Sequence, residues 1–132
     1  MNKPVITTGK RKRAIARATL SQGSGLVTIN GMDINVISPD IIKMKTMVPL
    51  MLAAEAAKKV DVRVRVNGGG VASRAEASAL AIAKALSKHD KKLEKIFLSY
   101  DRQLLVADVR RKEARKPNRH GKSRSKVQKS YR

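Results

Sequence analysis

The sequence predicts an α+β fold: a small two-layer body of about four strands with two or three helices on one face, trailed by an extended basic C-terminal arm. Three observations predict it. Residues 12–20 and 61–67 alternate apolar and polar side chains at the period of a strand. Residues 71–89 instead repeat Ala75, Ala79, Ile82 and Leu86 at helical spacing. After Leu104-Leu105-Val106 the apolar pattern ends, leaving a body over residues 1–108 and an arm over residues 109–132. A chain of 132 residues fits one such domain with a core of its own.

In residues 12–20, Ala14, Ala16, Ala18 and Leu20 share one face and Arg13, Ile15, Arg17 and Thr19 the other, which predicts a strand with a small apolar inner face. Gln22-Gly23-Ser24-Gly25 supplies turn chemistry before Leu26-Val27-Thr28-Ile29, so the two segments are expected to form a hairpin. Asn30-Gly31 is a second turn signal, leading to a short edge strand through Ile34 and Val36. Ser38-Pro39-Asp40 has the residues that open helices, with Ile41, Ile42 and Met44 behind it, and Pro49 is expected to limit that helix. Residues 50–59, rich in Leu and Ala and ending on two lysines, then suit a second short helix. Val62, Val64 and Val66 alternate with Arg63 and Arg65 in the clearest strand of the chain. Gly68-Gly69-Gly70 ends it, and Ser73-x-x-Glu76 has the spacing of a capping box near the start of the helix over 71–89. A last helix is expected over 90–99, from Asp90 at its N-cap through Leu93, Ile96 and Phe97.

Charge points to the partner. Thirty Lys and Arg against ten Asp and Glu give a net +20, distributed as +6 over residues 1–17, +4 over 18–108 and +10 over 109–132. A nearly balanced body therefore carries its excess at the two ends, and such ends attract polyanions. The longest apolar run, residues 47–54, contains Pro49 and falls short of the roughly 20 residues that span a bilayer, so no membrane partner is expected. Residues 1–8 lack a charged region followed by an apolar stretch, so no secretory signal is expected either. The absence of cysteine removes disulfides, zinc fingers and thiol chemistry and fits a reducing compartment.

Catalytic constellations are thin. The two histidines, His89 and His120, stand far apart in the sequence, one at a helix end and one in the basic arm, and offer no triad or metal site. The acids are scattered, mostly beside Lys or Arg, without paired-carboxylate spacing. Gly68-Gly69-Gly70 matches neither G-x-x-x-x-G-K-[ST] nor G-x-G-x-x-G, and Gly9-Lys10 lacks the upstream glycine. The triple glycine reads as a tight strand-to-helix turn open to RNA phosphate contact. No enzyme activity, cofactor, metal or small-molecule substrate is expected.

Lys10-Arg11-Lys12-Arg13 has the composition of a solvated charge run or a nuclear localisation signal. Its coupling to outward Arg63 and Arg65 and to eleven cations in the arm favours nucleic acid, bound through counterion release. Aromatic residues make up 2% of the chain, which excludes base stacking as the main mode and leaves arginine forks on phosphates. Residues 109–132 have too little to bury to fold alone and are expected to order on a polyanion. Composition leaves RNA and DNA both open.

The motifs narrow the choice. Gly9-Lys10-Arg11-Lys12 before an alanine-rich strand, Val27-x-Ile29-Asn30-Gly31, and Val64-Arg65-Val66-x-Gly68-Gly69-Gly70-x-x-Ser73 with Ala77, Ala81 and Ala83-Lys84-Ala85-Leu86 resemble small-subunit ribosomal protein family nine, the S-nine proteins. Tyr100-Asp101-Arg102-x-Leu104-Leu105-Val106-Ala107-Asp108-x-Arg110-Arg111 and the ending Gln128-Lys129-Ser130-Tyr131-Arg132 are similar to its archaeal and eukaryotic branch; the bacterial branch usually ends in Ser-Lys-Arg. Arg74 departs from the usual glutamine, and residues 117–127 replace a Gly-Pro-Gly-Ala-Arg-Ala-Arg stretch while staying basic.

The resemblance implies a left-handed βαβ crossover, an exception to the usual handedness. It also implies residence in the head of the small ribosomal subunit in the cytoplasm, among small-subunit rRNA and neighbouring head proteins, with the tail reaching peptidyl-site tRNA. On that reading rRNA is bound by Lys10, Arg11, Lys12, Arg13, Arg63, Arg65 and the turn Gly68, Gly69, Gly70, and along the arm by Arg110, Arg111, Arg115, Lys116, Arg119, Lys122, Arg124 and Lys126. Lys129, Tyr131 and Arg132 would face the tRNA. A ribonuclease protein subunit or RNA chaperone with a similar body is the alternative among binding proteins, and a small nucleotide-dependent enzyme using the glycine turn is the alternative among catalysts.

Overall fold

The alternating segments assemble into a five-stranded mixed sheet in the computed structural model, which describes residues 3–119, 122–124 and 131–132. The strands are β1 (Val5–Arg11), β2 (Ala14–Gln22), β3 (Val27–Ile29), β4 (Met32–Asp33) and β5 (Val60–Asn67), in the spatial order β1-β2-β5-β3-β4. Neighbours are antiparallel except β3 and β5, which run parallel and are joined by a crossover through β4 and the helix α1 (Asp40–Ala53). As expected, Ala14, Ala16, Ala18, Leu20, Val62, Val64 and Val66 are buried on one face. That face carries the helical layer: α2 (Val71–His89) lies against β1, β2 and β5, α1 packs on α2, and α3 (Lys92–Tyr100) packs on both through buried Leu93 and Phe97.

The hairpin expected between residues 12–20 and 26–29 does not form, because β5 lies between β2 and β3. The glycine-rich stretch is held as a loop across the end of β5, not closed as a tight turn. The Asp61 carboxylate accepts hydrogen bonds from the backbone N–H groups of Ser24, Gly25 and Leu26 at 2.8, 3.1 and 2.9 Å. Those bonds, Leu26 first and then Ser24, hold the Asp61 carboxyl below its ordinary range. The hairpin partner of β2 is β1, reached through the two-residue turn Lys12-Arg13 with Lys12 at φ 52°.

Asn30 closes the other side of β5. Its side-chain amide donates to the Val66 carbonyl at 3.2 Å and accepts from the Val66 N–H at 2.9 Å, so it continues the ladder where β3 turns away at Asn30-Gly31. Asn30 also sits at φ 50°, a conformation asparagine tolerates. Asn30→Ala is expected to lower stability by about 2 kcal/mol, since it strips two partners from Val66 and strains the turn. Urea denaturation checks this, and Asn30→Gly, which relieves the strain but not the lost bonds, should recover part of the loss.

Two helical expectations need correction. Pro49 does not end the first helix; α1 runs through it to Ala53, where Ala54 at φ 39° terminates it, and residues 50–59 add only a single 3-10 turn at Ala57–Lys59. Proline removes one backbone bond, but Pro49 is fully buried, and tertiary packing overrides the local cost. The capping box is absent as well: Gly70 is the N-cap of α2, and Glu76 is drawn away by cations from β1 and α1. The edge strand expected through Ile34 and Val36 is displaced and shorter: β4 holds only Met32–Asp33, and the chain turns at Ile34–Val36, where the Val36 N–H donates to the Asp33 carbonyl, with Ile34 buried and Val36 exposed. Beyond the 3-10 turn at Arg102–Leu104, residues 105–119 contain no helix, and the Lys116 N–H donates to the Lys122 carbonyl at 2.8 Å across a turn.

Candidate nucleic-acid interface

The tight β1–β2 turn and the β5–α2 turn are pressed together by two glycines. A Cβ on Gly68, at φ 73°, would lie 2.7 Å from the Arg13 carbonyl oxygen, and one on Gly69, at φ 68°, 2.9 Å from the Ala14 nitrogen. Both glycines are therefore required for packing. Gly70 is different, since a Cβ there would meet nothing within 4 Å. It borders an open cleft of about 770 Å³ in which Lys12 and Arg13 from the hairpin turn meet Arg110, Arg111, Lys112 and Arg115 from the start of the arm. Glu113 is the one acid among the residues lining it. Lys112, which the sequence reading passed over, belongs to this group; its position inside the Arg110–Arg115 run was the available signal.

Arg11 separates from its neighbours in the basic run. Alternation along β1 turns it to the helical side, where its Nε donates to Glu76 Oε2 at 2.6 Å and its Nη1 lies 3.3 Å from Asp108 Oδ2. Lys45 Nζ donates to the other Glu76 oxygen at 2.7 Å. Asp108 in turn accepts from the backbone N–H and the guanidinium of Arg110 at 2.8 and 2.7 Å, and these bonds hold its carboxyl well below the usual carboxylate range. The network ties β1, α1 and α2 to the residue from which the arm departs. Arg11 and Arg110 are thus engaged within the protein.

The network has a pH signature. Burial pushes the Glu76 carboxyl up, but hydrogen bonds and charge from Lys45 and Arg11 outweigh it and leave the group below its ordinary range. A carboxyl depressed in the fold stabilises it above the unfolded pKa, and the contribution is lost as pH falls through the folded value. Glu76→Gln is expected to lower the urea midpoint near neutrality, with the gap to wild type shrinking as pH falls below about 4. A gap independent of pH would show that the ionised carboxylate is not what the site needs.

Across the molecule, among the described residues, the second face of the sheet carries no helix. Arg63 and Arg65 lie exposed on it, as the alternation of β5 requires, and Lys10 stands on the same face opposite Ile15. Arg17, also exposed, is directly opposite Arg65. The alternation of β2 already placed Arg17 outward, but nothing in the sequence pairs β2 with β5. In the arm, Arg115, Lys116, Arg119 and Lys122 are exposed, Arg124 is ion-paired with Glu113, and Tyr131 and Arg132 are exposed at the end. Lys126 and Lys129 lie outside the described residues, as does His120.

A family model described as ribosomal protein S9/S16 matches residues 9–132 of the chain. The chain belongs to the ribosomal protein S9/S16 family. Relatives named "Small ribosomal subunit protein uS9" support the assignment along nearly the whole length. Those of Thermoplasma volcanium and Thermoplasma acidophilum are each 48% identical over 97% of this chain, covering 98% and 100% of their own length. That of Methanococcus maripaludis strain C7 is 48% identical over 98% of this chain and 99% of its own. These relatives agree with the archaeal resemblance of the C-terminal motifs. Members of this ribosomal protein family are structural, so the chain is not an enzyme, and the glycine turn is a packing element of an S9/S16 body. Among the described residues, no helix is long and apolar enough to cross a membrane.

Proposed function

We propose that the chain is a structural constituent of the small ribosomal subunit, anchored on rRNA in the head by its body, residues 1–108, and reaching peptidyl-site tRNA with its arm, residues 109–132. The observation that carries this reading is the meeting of Lys12 and Arg13 with Arg110, Arg111, Lys112 and Arg115 at one cleft. The fold brings together the basic ends of the chain; Arg110 is paired with Asp108, and the remaining Lys12, Arg13, Arg111, Lys112 and Arg115 around one opening suit a polyanion. Arg63 and Arg65 extend the phosphate-facing surface to the sheet, while Arg115, Lys116, Arg119, Lys122, Arg124 and Lys126 continue it along the arm. Neighbouring head proteins would complete the surroundings, on a cytoplasmic ribosome. Lys129, Tyr131 and Arg132 take the tRNA-facing position.

Sequencing the RNA that co-purifies with the protein tests the rRNA assignment, with enrichment of small-subunit rRNA expected and enrichment of another RNA class decisive against it. Removing residues 129–132 tests the tip. The body and most arm cations remain, so subunits should assemble, while tRNA held in the peptidyl site should be destabilised by about 1 to 2 kcal/mol as one or two charge-assisted phosphate bonds are lost. Dissociation of tRNA from purified subunits measures it. A wild-type rate, or subunits that fail to assemble, would overturn the division of labour.

A further inference from the structure

The face of the sheet that carries no helix among the described residues holds a like-charge pair that the isolated protein gains nothing by keeping. Arg17 on β2 and Arg65 on β5 are directly opposite in an antiparallel ladder, both exposed, and like charges so placed destabilise a sheet. Arg63 is two residues along β5 on the same face, opposite Thr19 on one side and Thr28 on the other. Thr8 on β1 is opposite Arg17 and completes the row. Acids at the margin of this face do not neutralise the pair. Asp61 is occupied by the backbone amides of Ser24, Gly25 and Leu26, and Asp33 by the backbone and side-chain amides of Asn35. Among the described residues, neither Arg17 nor Arg65 forms an ion pair.

We infer that Arg17 and Arg65 form a two-arginine clamp for a single backbone phosphate of RNA, making the open sheet face a docking surface separate from the arm. The inference rests on the rRNA-binding reading above and gives it a second contact surface. Two guanidinium forks facing one another across adjacent strands can both donate to the oxygens of one phosphate, which cancels the repulsion between them. Arg63, displaced along the strand by about 7 Å, stands where a neighbouring phosphate would follow. The flanking threonine hydroxyls can donate to sugar and phosphate oxygens, and the face offers no aromatic platform for bases, so the backbone is the part of the RNA it reads.

The test measures binding of the full-length protein to small-subunit rRNA from its own cells, across about 50 to 200 mM salt. Arg17→Gln and Arg65→Gln should each weaken binding, about tenfold, while leaving the slope of log affinity against log salt almost unchanged, since the phosphate keeps one cation. The double substitution should lower the slope by about 0.9, the value for one phosphate released. Replacing both by lysine should preserve the slope but not the affinity, because charge returns without the forks. Thermal midpoints of the free Gln variants should equal or exceed wild type, which separates lost binding from lost folding. A double Lys92→Gln, Lys95→Gln variant on α3 removes the same charge elsewhere and should bind as wild type. Unchanged affinity in the Arg17→Gln, Arg65→Gln protein overturns the clamp, and so does a slope change of about 0.9 in each single variant, which would mean two separate phosphates. If affinity for rRNA is unchanged while capture of polyglutamate is lost, the face belongs to an acidic protein segment and the clamp is again overturned. A wild-type protein that is folded yet fails to bind this rRNA would overturn the ribosomal reading together with the clamp.

Discussion

Replacing Gly9 with alanine is expected to destabilise the free protein by about 3 kcal/mol, at the upper end of what overpacking costs. Gly9 lies on the inner face of β1, where the strand meets α2 almost backbone to backbone. A Cβ there would lie 2.1 Å from the Ala77 carbonyl oxygen and 2.8 Å from the Ala81 nitrogen, and neither atom can rotate away. The helix itself must move. Two residues earlier the buried Thr7 hydroxyl donates to the Ala81 carbonyl at 2.7 Å, so a shift that relieves Gly9 breaks this bond as well. The loss should lower the thermal midpoint by roughly 10 °C and move the urea midpoint without changing the denaturant slope. Gly70→Ala is the control, because its Cβ would occupy open space at a residue with φ −88°. A Gly9→Ala midpoint matching that of Gly70→Ala would mean that β1 and α2 are not in the contact described. The prediction also explains the glycine of Gly9-Lys10 by packing, with no phosphate loop involved.

Deleting residues 109–132 is expected to have the largest effect on RNA binding, because it removes eleven of the thirty cations and one side of the basic cleft. If about half of those cations meet phosphates, the slope of log affinity against log salt should fall by about 5, and affinity at low salt by about a thousandfold. The body should survive, since the deletion begins after Asp108 and leaves its contact with Arg11 and the Arg11–Glu76–Lys45 bonds in place. Filter binding of small-subunit rRNA by wild-type and truncated protein over a salt series measures the slope, and a urea melt of the truncated protein verifies the body. An unchanged slope would mean that the arm is not the main phosphate-binding element, and would move that role to Lys12, Arg13 and the sheet face.

In the two alternating strands and the helix over 71–89, periodicity alone determined which side chains are inside; in the first and last helices it did not, since Ile41, Met44 and Ile96 are exposed. Val62, Val64, Val66, Ala14, Ala16, Ala18 and Leu20 are buried where alternation put them, and the helix over 71–89 is present with the expected bounds. Charge counting likewise marked the two basic ends of the chain, and the motifs carried the family. These properties are local sums over sequence, so they can be read without knowing which segments meet. Strand order could not be read that way. Alternation says which face of a strand is buried but not which neighbour it hydrogen-bonds, so the insertion of β5 between β2 and β3 was hidden. So was β1, whose turn to β2 uses Lys12-Arg13 in place of glycine or asparagine and whose close contact with α2 needs Gly9, a residue that reads as a breaker within a strand. Pro49 shows the same limit in a helix, where burial outweighs a local preference. The candidate site follows this division. Arg63 and Arg65 were legible because their exposure is set by their own strand, whereas the inward turn of Arg11, the pairing of Arg17 with Arg65, and the meeting of Lys12 and Arg13 with Arg110 to Arg115 depend on contacts between distant segments. Such contacts form through the shapes of two surfaces and the closure of the chain between them, and only the tertiary structure decides them.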